Sequence, residues 1–343
     1  MSYRLLVSTG VWAAVIAVVM VTPIPLLAQT EGAAVAPRTP WGQPDLQGVW
    51  DFRTITPMQR PENLEGTEFL TEEEAATLER AAVDRDTRLA GRSAQRTIAG
   101  ASVDAGTEGA PGAYNNFWLD RGTRIIGTRR TSLVVDPPDG RIPALTSEGE
   151  RRADARREYL QVHPADSWRD VNSAVRCIVG FNAGPPMEPR AYNNHMQLFQ
   201  TPDHVIILNE MVHDARIIPL SSGPDFPEGV LQWMGDSRGR WEGDTLVVDT
   251  TNLYDTNSFT NRYGATRHMR LVERFTRVDA ETLIYEFTVE DPATWTRSWT
   301  VEVPMAKSED KLWEFACHEG NYGMDGILAG HRAEERDAAR VLR

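Results

Sequence analysis

Residues 269–291 read MRLVERFTRVDAETLIYEFTVED, and their alternation decides the fold. In the first half Met269, Leu271 and Phe275 share one face, with Glu273 among them, while Arg270 and Arg274 take the other. Beyond the VDA turn, Leu283, Tyr285, Phe287 and Val289 form a second apolar row. Side chains of a strand alternate between its two faces, so a period of two on both sides of a short turn predicts an antiparallel hairpin.

The same pattern continues in both directions. Upstream lie HMQLFQ (195–200) and HVIILNEM (204–211) around TPD, then ARIIPL (215–220), then GRW (239–241) and TLVVDTTNL (245–253) around EGD. Downstream lie TRSWTVEVP (296–304), with Trp299, Val301 and Val303 inward, and KLWEFACHE (311–319), with Trp313, Phe315, Cys317 and Glu319 inward. TSLVVDPPDGRIPAL (131–145) reads as a further hairpin and LQGVWDF (46–52) as a first strand. Short strands joined by tight turns predict a mainly β antiparallel meander. Closure removes sticky edges, so the expected form is a lipocalin-like β-barrel of about 8–10 strands; a two-sheet β-sandwich is the alternative.

Helices are few. TEEEAATLERAAVDRDTRLA (71–90) opens with Thr71 and Glu74 at capping-box spacing, and Ser147 and Glu150 repeat that spacing in TSEGERRADARREYL (146–160). A third, short helix is expected before Cys177, and residues 91–113 read as a long surface loop. The expected organisation is a signal peptide at 1–28 and an extended linker at 29–45. A region of one strand, helices and loop at 46–176 then packs on a barrel core at 177–335, followed by a tail at 336–343.

Arg4 precedes the apolar run LLVSTGVWAAVIAVVMVTPIPLLA (5–28), and Ala28 offers a small residue for cleavage. A permanent anchor is the alternative, but Pro23, Pro25 and the polar stretch that follows favour removal. The expected location is therefore periplasmic or secreted, with no stable membrane span afterwards. The net charge of −13 argues against nucleic acid or an anionic membrane as partner. Export to an oxidising compartment favours a disulfide between the only two cysteines, Cys177 and Cys317, over a reactive or metal-binding thiol.

Parity aims Glu273 and Glu319 into the apolar interior. A carboxylate there needs either a cationic partner, Arg216 or Arg238, or a raised pKa that makes it an acid or base. Adjacent strand residues face opposite ways, so His213–Asp214 and His318–Glu319 cannot serve as ready-made dyads. Histidine titrates near 6.5, which suits proton transfer. The candidate catalytic pair is His213 with Glu273, with His195 and Glu319 in reserve. Asn194 and Arg216 would steady developing negative charge. Tyr285, Trp299, His318 and Tyr322 complete the candidate substrate contacts. WMGDSRGRWEGD (233–244) gathers Asp236, Arg238, Trp241, Glu242 and Asp244, which read mainly as turn construction. HExxH, CxxC, an EF-hand loop, GxSxG and a glycine-rich phosphate loop are all missing, so no cofactor and no metal is expected.

Two resemblances follow from these stretches. Gly48-x-Trp50 resembles the opening strand of lipocalin-type barrels, where the tryptophan closes one end. HDARIIPL, WMGDSRGRWEGDTLVVDTTN, VERFTRVDAETLIYEFTVEDPATWTR and CHEGNYG resemble a group of functionally uncharacterised exported bacterial proteins, which implies a β-rich exported fold and assigns no catalytic residue. Together the readings point to an exported enzyme using acid–base chemistry, as a lyase, hydratase or isomerase, on a small apolar or aromatic molecule. A lipocalin-like carrier of a lipid, pigment or aromatic ligand and a structural envelope protein are the alternatives.

Overall fold

A computed structural model describes residues 36–91, 119–213, 215–221, 223, 226–227 and 229–341, with only the backbone of His213 and Ser258. The expected signal peptide at 1–28, most of the expected loop at 91–113 and Asp214 lie outside the described residues. Ten antiparallel strands form one sheet: β1 (Gly48–Asp51), β2 (Val134–Asp136), β3 (His195–Gln200), β4 (His204–Asn209), β5 (Ala215–Pro219), β6 (Asp236–Glu242), β7 (Thr245–Thr251), β8 (Arg270–Arg277), β9 (Thr282–Glu290) and β10 (Trp299–Ser308). The order is β5-β4-β3-β1-β10-β9-β8-β7-β6, and β2 pairs with β10 beside the main path. Two meanders, β3–β5 and β6–β10, are thus bridged by β1, which pairs with both β3 and β10.

The expected inner rows come together as parity requires. Phe275 opposes Tyr285, Glu273 opposes Phe287, Val301 opposes Phe287 and Val303 opposes Tyr285. All of these but Val303, at 1% exposure, are inaccessible to solvent, as is Trp50, whose indole donates to the Leu46 carbonyl at 2.9 Å. Arg277 lies over the Trp50 ring at 5.2 Å and donates to the carbonyls of Asp45 and Ala280. Burying a large apolar side chain contributes roughly 1.5–3 kcal/mol, so this continuous row of aromatics dominates the stability of the fold.

Closure into a barrel does not occur: the sheet is open. The end strands β5 and β6 share no ladder among the described residues. Side chains fill the space between them instead. A Cβ added at Gly239 would stand 2.7 Å from Leu220 Cδ2 and 3.1 Å from Ile218 Cγ2, so β5 rests on β6 through side chains. Backbones separated in this way cannot reach the roughly 4.8 Å spacing of a ladder. A sandwich-like, curled open sheet therefore replaces the lipocalin-like barrel, and its interior is packed with side chains.

Helix α1 (Glu72–Ala90) carries the expected capping box: Glu74 N–H donates to Thr71 Oγ1 at 3.2 Å, and Thr71 N–H to Glu74 Oε2 at 2.8 Å. Helix α2 (Ser147–Val162) begins one residue earlier than the spacing implied, with Thr146 rather than Ser147 as its cap. Thr146 is held there by Thr294 and Ala293, and Gly149 passes so close that a Cβ would lie 2.6 Å from the Thr294 carbonyl oxygen. A short helix α3 (Ser258–Tyr263) stops at Gly264, where φ is +71°.

Several local expectations fail. PPDG does make a turn, but 141–145 does not pair back: β2 joins β10, and Leu145 bridges Trp295. The expected short helix leading up to Cys177 does not form; hydrogen-bonded turns occupy 168–170 and 173–177. Residues 38–44 fold back on themselves through an Arg38–Pro44 bridge instead of forming an extended linker. KLWEFACHE is not a strand, and its outward turn leaves Trp313 76% exposed. The disulfide Cys177–Cys317, found as expected, ties this segment to the 173–178 turn rather than to the sheet. Residues 322–335, expected in the barrel core, and 336–341 of the expected tail form one helix, α4 (Tyr322–Val341). No helix among the described residues is long and apolar enough to cross a membrane.

Candidate functional site

Glu273 points into the packed interior, where Arg216 answers it. Arg216 Nη1 donates to Glu273 Oε1 at 3.0 Å, and Nη2 pairs with Oε2. The Tyr285 hydroxyl donates to Glu273 Oε1 at 2.8 Å and accepts from Met187 N–H at 3.1 Å. The remaining donors of Arg216 reach Ser237 Oγ at 2.9 Å and Thr250 Oγ1 at 2.7 Å. Burial and the neighbouring carboxylate push the Tyr285 phenol well above its ordinary value. Of the two readings open to Glu273, the ion pair with Arg216 describes what surrounds it; Arg238 pairs with Asp236 instead. Trp299 is equally enclosed, with Trp295, Phe259, Tyr263 and Phe287 rings within about 6 Å.

The other candidates disperse. Glu319 is exposed in a turn, contrary to its expected inward direction, because the segment carrying it left the sheet. His318 is exposed beside it, and Tyr322 opens α4 with 79% exposure. His213 lies in a 3-10 turn at Met211–His213 in which Val212 adopts φ +63°, so strand parity does not govern it; its side chain lies outside the described residues. No His213–Glu273 pair is therefore on view.

His195 is the candidate that meets other chemistry. Asn193, with φ +53°, turns the chain into β3, and Asn194 fastens the approach. The Asn194 carboxamide accepts from Arg190 N–H at 2.7 Å and donates to the carbonyls of Arg190 and Asp120 at 3.0 and 3.2 Å. Asn194 is thus a bracket beneath the site rather than a contact within it. His195 opposes Asp51 in the β1–β3 register, and Glu210 N–H donates to the His195 carbonyl at 3.0 Å. Its ring follows the same partners: Nδ1 lies 3.2 Å from Glu210 Oε2, and Nε2 lies 4.0 Å from Asp51 Oδ2.

The imidazole side chain is 12% exposed. Its Nε2 is shut from solvent and makes no hydrogen bond. Burial works against the charged ring, but the hydrogen bond to Glu210 and the charge of Asp51 outweigh it and raise the pKa above 6.5. Arg53 donates to Asp51 at 2.8 Å and also pairs with Asp120, which keeps the guanidinium charged despite burial.

These groups line a cleft of about 480 Å³. Arg53, Asp120, His195 and Glu210 form one wall, while Tyr192, Trp313 and Phe315 supply aromatic surface and Asp310 and Lys311 a polar rim. One site therefore holds a histidine between two carboxylates, a fixed arginine and three rings. Of this cleft the sequence reading named His195 as a site candidate; it placed Trp313 and Phe315 inside a barrel instead and did not name Glu210, Asp51, Arg53, Asp120 and Lys311 as site residues. The hairpin register alone, Met196 opposite Asn209, would have placed Glu210 across from His195.

Comparison of the chain with protein-family models, curated proteins and solved structures found no match. No residue role can be transferred, and the chemistry rests on this geometry.

Proposed function

We propose that the protein is an exported enzyme that uses His195 for acid–base chemistry on a small molecule, in a reaction of the lyase, hydratase or isomerase type. One observation carries the reading: a nearly buried imidazole, held at Nδ1 by Glu210 and with Nε2 unbonded 4.0 Å from Asp51, belongs to the lining of a polar and aromatic cleft. Glu210 orients the ring and stabilises its charged form, as the carboxylate partner of a general acid does. The hydrogen bond to Glu210 and the charge of Asp51 raise the pKa and favour the protonated ring over the neutral one, and in this proposal His195 acts first as the acid. Arg53 is placed to hold an anionic or carbonyl oxygen, and the rings of Tyr192, Trp313 and Phe315 to hold an apolar or aromatic body. Aromatic side chains pack the interior of the sheet, and the cleft proposed here lies where β1 ends and β3 begins.

The full chain, incubated with a panel of hydroxy, carbonyl and unsaturated carboxylic compounds, can be followed by proton NMR. For a compound that is converted, His195→Gln should lower kcat/KM by about 10²–10⁴-fold. Equal turnover by the variant rejects the assignment. A second reading, a carrier of a lipid, pigment or aromatic compound, is favoured by the high exposure of Trp313 at the cleft. A ligand retained through purification in native mass spectrometry, with no compound converted, would select it.

A further inference from the structure

A second group of ionisable side chains lies away from the cleft, where α4 meets the end of α2. His331 Nε2 stands 2.8 Å from Asp166 Oδ1 and 3.6 Å from Glu335 Oε1. One ligand atom from each of the three residues lies within 4.8 Å of the others. His331 and Glu335 are four residues apart in α4, which puts them on the same helix face. Asp166 comes from the turn after α2, where His163 Nδ1 holds its other oxygen at 2.6 Å. Arg332 fixes the geometry from behind, reaching Glu335 Oε2 at 3.1 Å and the carbonyls of Ala165 and Asp166 at 3.3 and 3.1 Å.

We propose that Asp166, His331 and Glu335 bind a divalent transition-metal ion, with Zn²⁺ as the best match, and that the ion fastens the C-terminal helix to the end of α2. One imidazole nitrogen and two carboxylate oxygens form a three-ligand set of the kind that leaves zinc an open position. The imidazole selects a transition ion over Mg²⁺ or Ca²⁺, which prefer all-oxygen sites.

A second observation concerns the far side of the ring. His331 Nδ1 is shut from solvent without a hydrogen-bond partner, and Glu334 Oε2 lies 3.7 Å away. When Nε2 donates to Asp166, a neutral ring leaves a lone pair stranded at Nδ1. Coordination through Nε2 moves the proton to Nδ1, facing Glu334, which is the usual outer arrangement of a metal-bound histidine. The ion would have a structural task, since no residue of α4 is fully buried.

Calorimetric titration of the metal-free full chain with Zn²⁺, Mn²⁺ and Mg²⁺ tests the site, with amide exchange of α4 as a second readout. One Zn²⁺ should bind per chain, more tightly than Mn²⁺ and far more tightly than Mg²⁺, and should slow exchange across residues 322–341. His331→Ala should weaken Zn²⁺ by more than the roughly 10–100-fold that loss of an outer partner alone costs. Glu335→Gln, at a half-exposed helix position, should weaken it while leaving the circular dichroism unchanged, which separates ligand loss from misfolding. His195→Gln should leave Zn²⁺ binding as it was. Failure to bind one Zn²⁺, binding indifferent to both α4 variants, or binding abolished by His195→Gln would each overturn the proposal.

Discussion

Two charge clusters, one buried inside the sheet and one at its rim where β1 ends and β3 begins, show how similar residues reach different ends. Inside, Glu273 faces Arg216, and the atoms around them are matched: Arg216 also meets Ser237 and Thr250, while Tyr285 meets Met187. At the rim, His195 is held by Glu210 and faced by Asp51, but Nε2 keeps no hydrogen bond and the group opens on a cleft. A saturated network in a packed core has nothing left for a substrate, and its cost of desolvation is met by internal pairing. A cluster that lines a cleft and leaves one ring nitrogen without a hydrogen bond has capacity left for a ligand.

The largest effect should come from breaking the inner cluster. Arg216→Met leaves Glu273 uncompensated among aromatic rings and should cost about 3–5 kcal/mol in urea unfolding. A loss below about 1 kcal/mol would mean that water reaches Glu273, and the contrast between the two regions would collapse. At the rim, Glu210→Gln removes a charge-assisted hydrogen bond and should cost about 1.5–3 kcal/mol at pH 6. The sign follows from the raised pKa of His195: the contribution is complete below its unfolded value of 6.5 and is lost as pH rises through the folded value. The gap between wild type and Glu210→Gln should therefore narrow above neutrality.

The smallest effect sharpens the comparison from the outer face of the same strands. Glu286 opposes Glu302 across β9 and β10. Partial burial, and then the charge of Glu302, raise its pKa despite Arg274. Its ionised form is thus disfavoured in the fold at neutral pH, and the penalty fades as pH falls through the folded pKa. Glu286→Gln should stabilise the protein at pH 7 by about 0.2–1 kcal/mol in thermal or urea unfolding.

Much of the sheet was legible because parity is a local signal. The β3–β4, β6–β7 and β8–β9 hairpins, the inward Glu273 and the capping box at Thr71 all follow from residues close in sequence. What failed depended on distant pairing. LWEFACHE has the composition of a strand, yet the Cys177 link draws it to a loop, exposing Trp313 and Glu319. Barrel closure was inferred from the need to remove sticky edges, but whether β5 pairs with β6 depends on Ile218 and Leu220 lying over Gly239. Of the rim cluster, His195 was visible and Glu210 was within reach of the hairpin register. Asp51 became its neighbour only because β1 inserts between β3 and β10.

The account centres on His195 as a held imidazole whose charged form is favoured at the rim cleft, and its titration measures that most directly. Imidazole nitrogen–proton correlation spectra of the full chain, recorded across pH, should show His195 titrating above 6.5 and dropping towards that value in Glu210→Gln. Titration at or below 6.5, unmoved by Glu210→Gln, would contradict it.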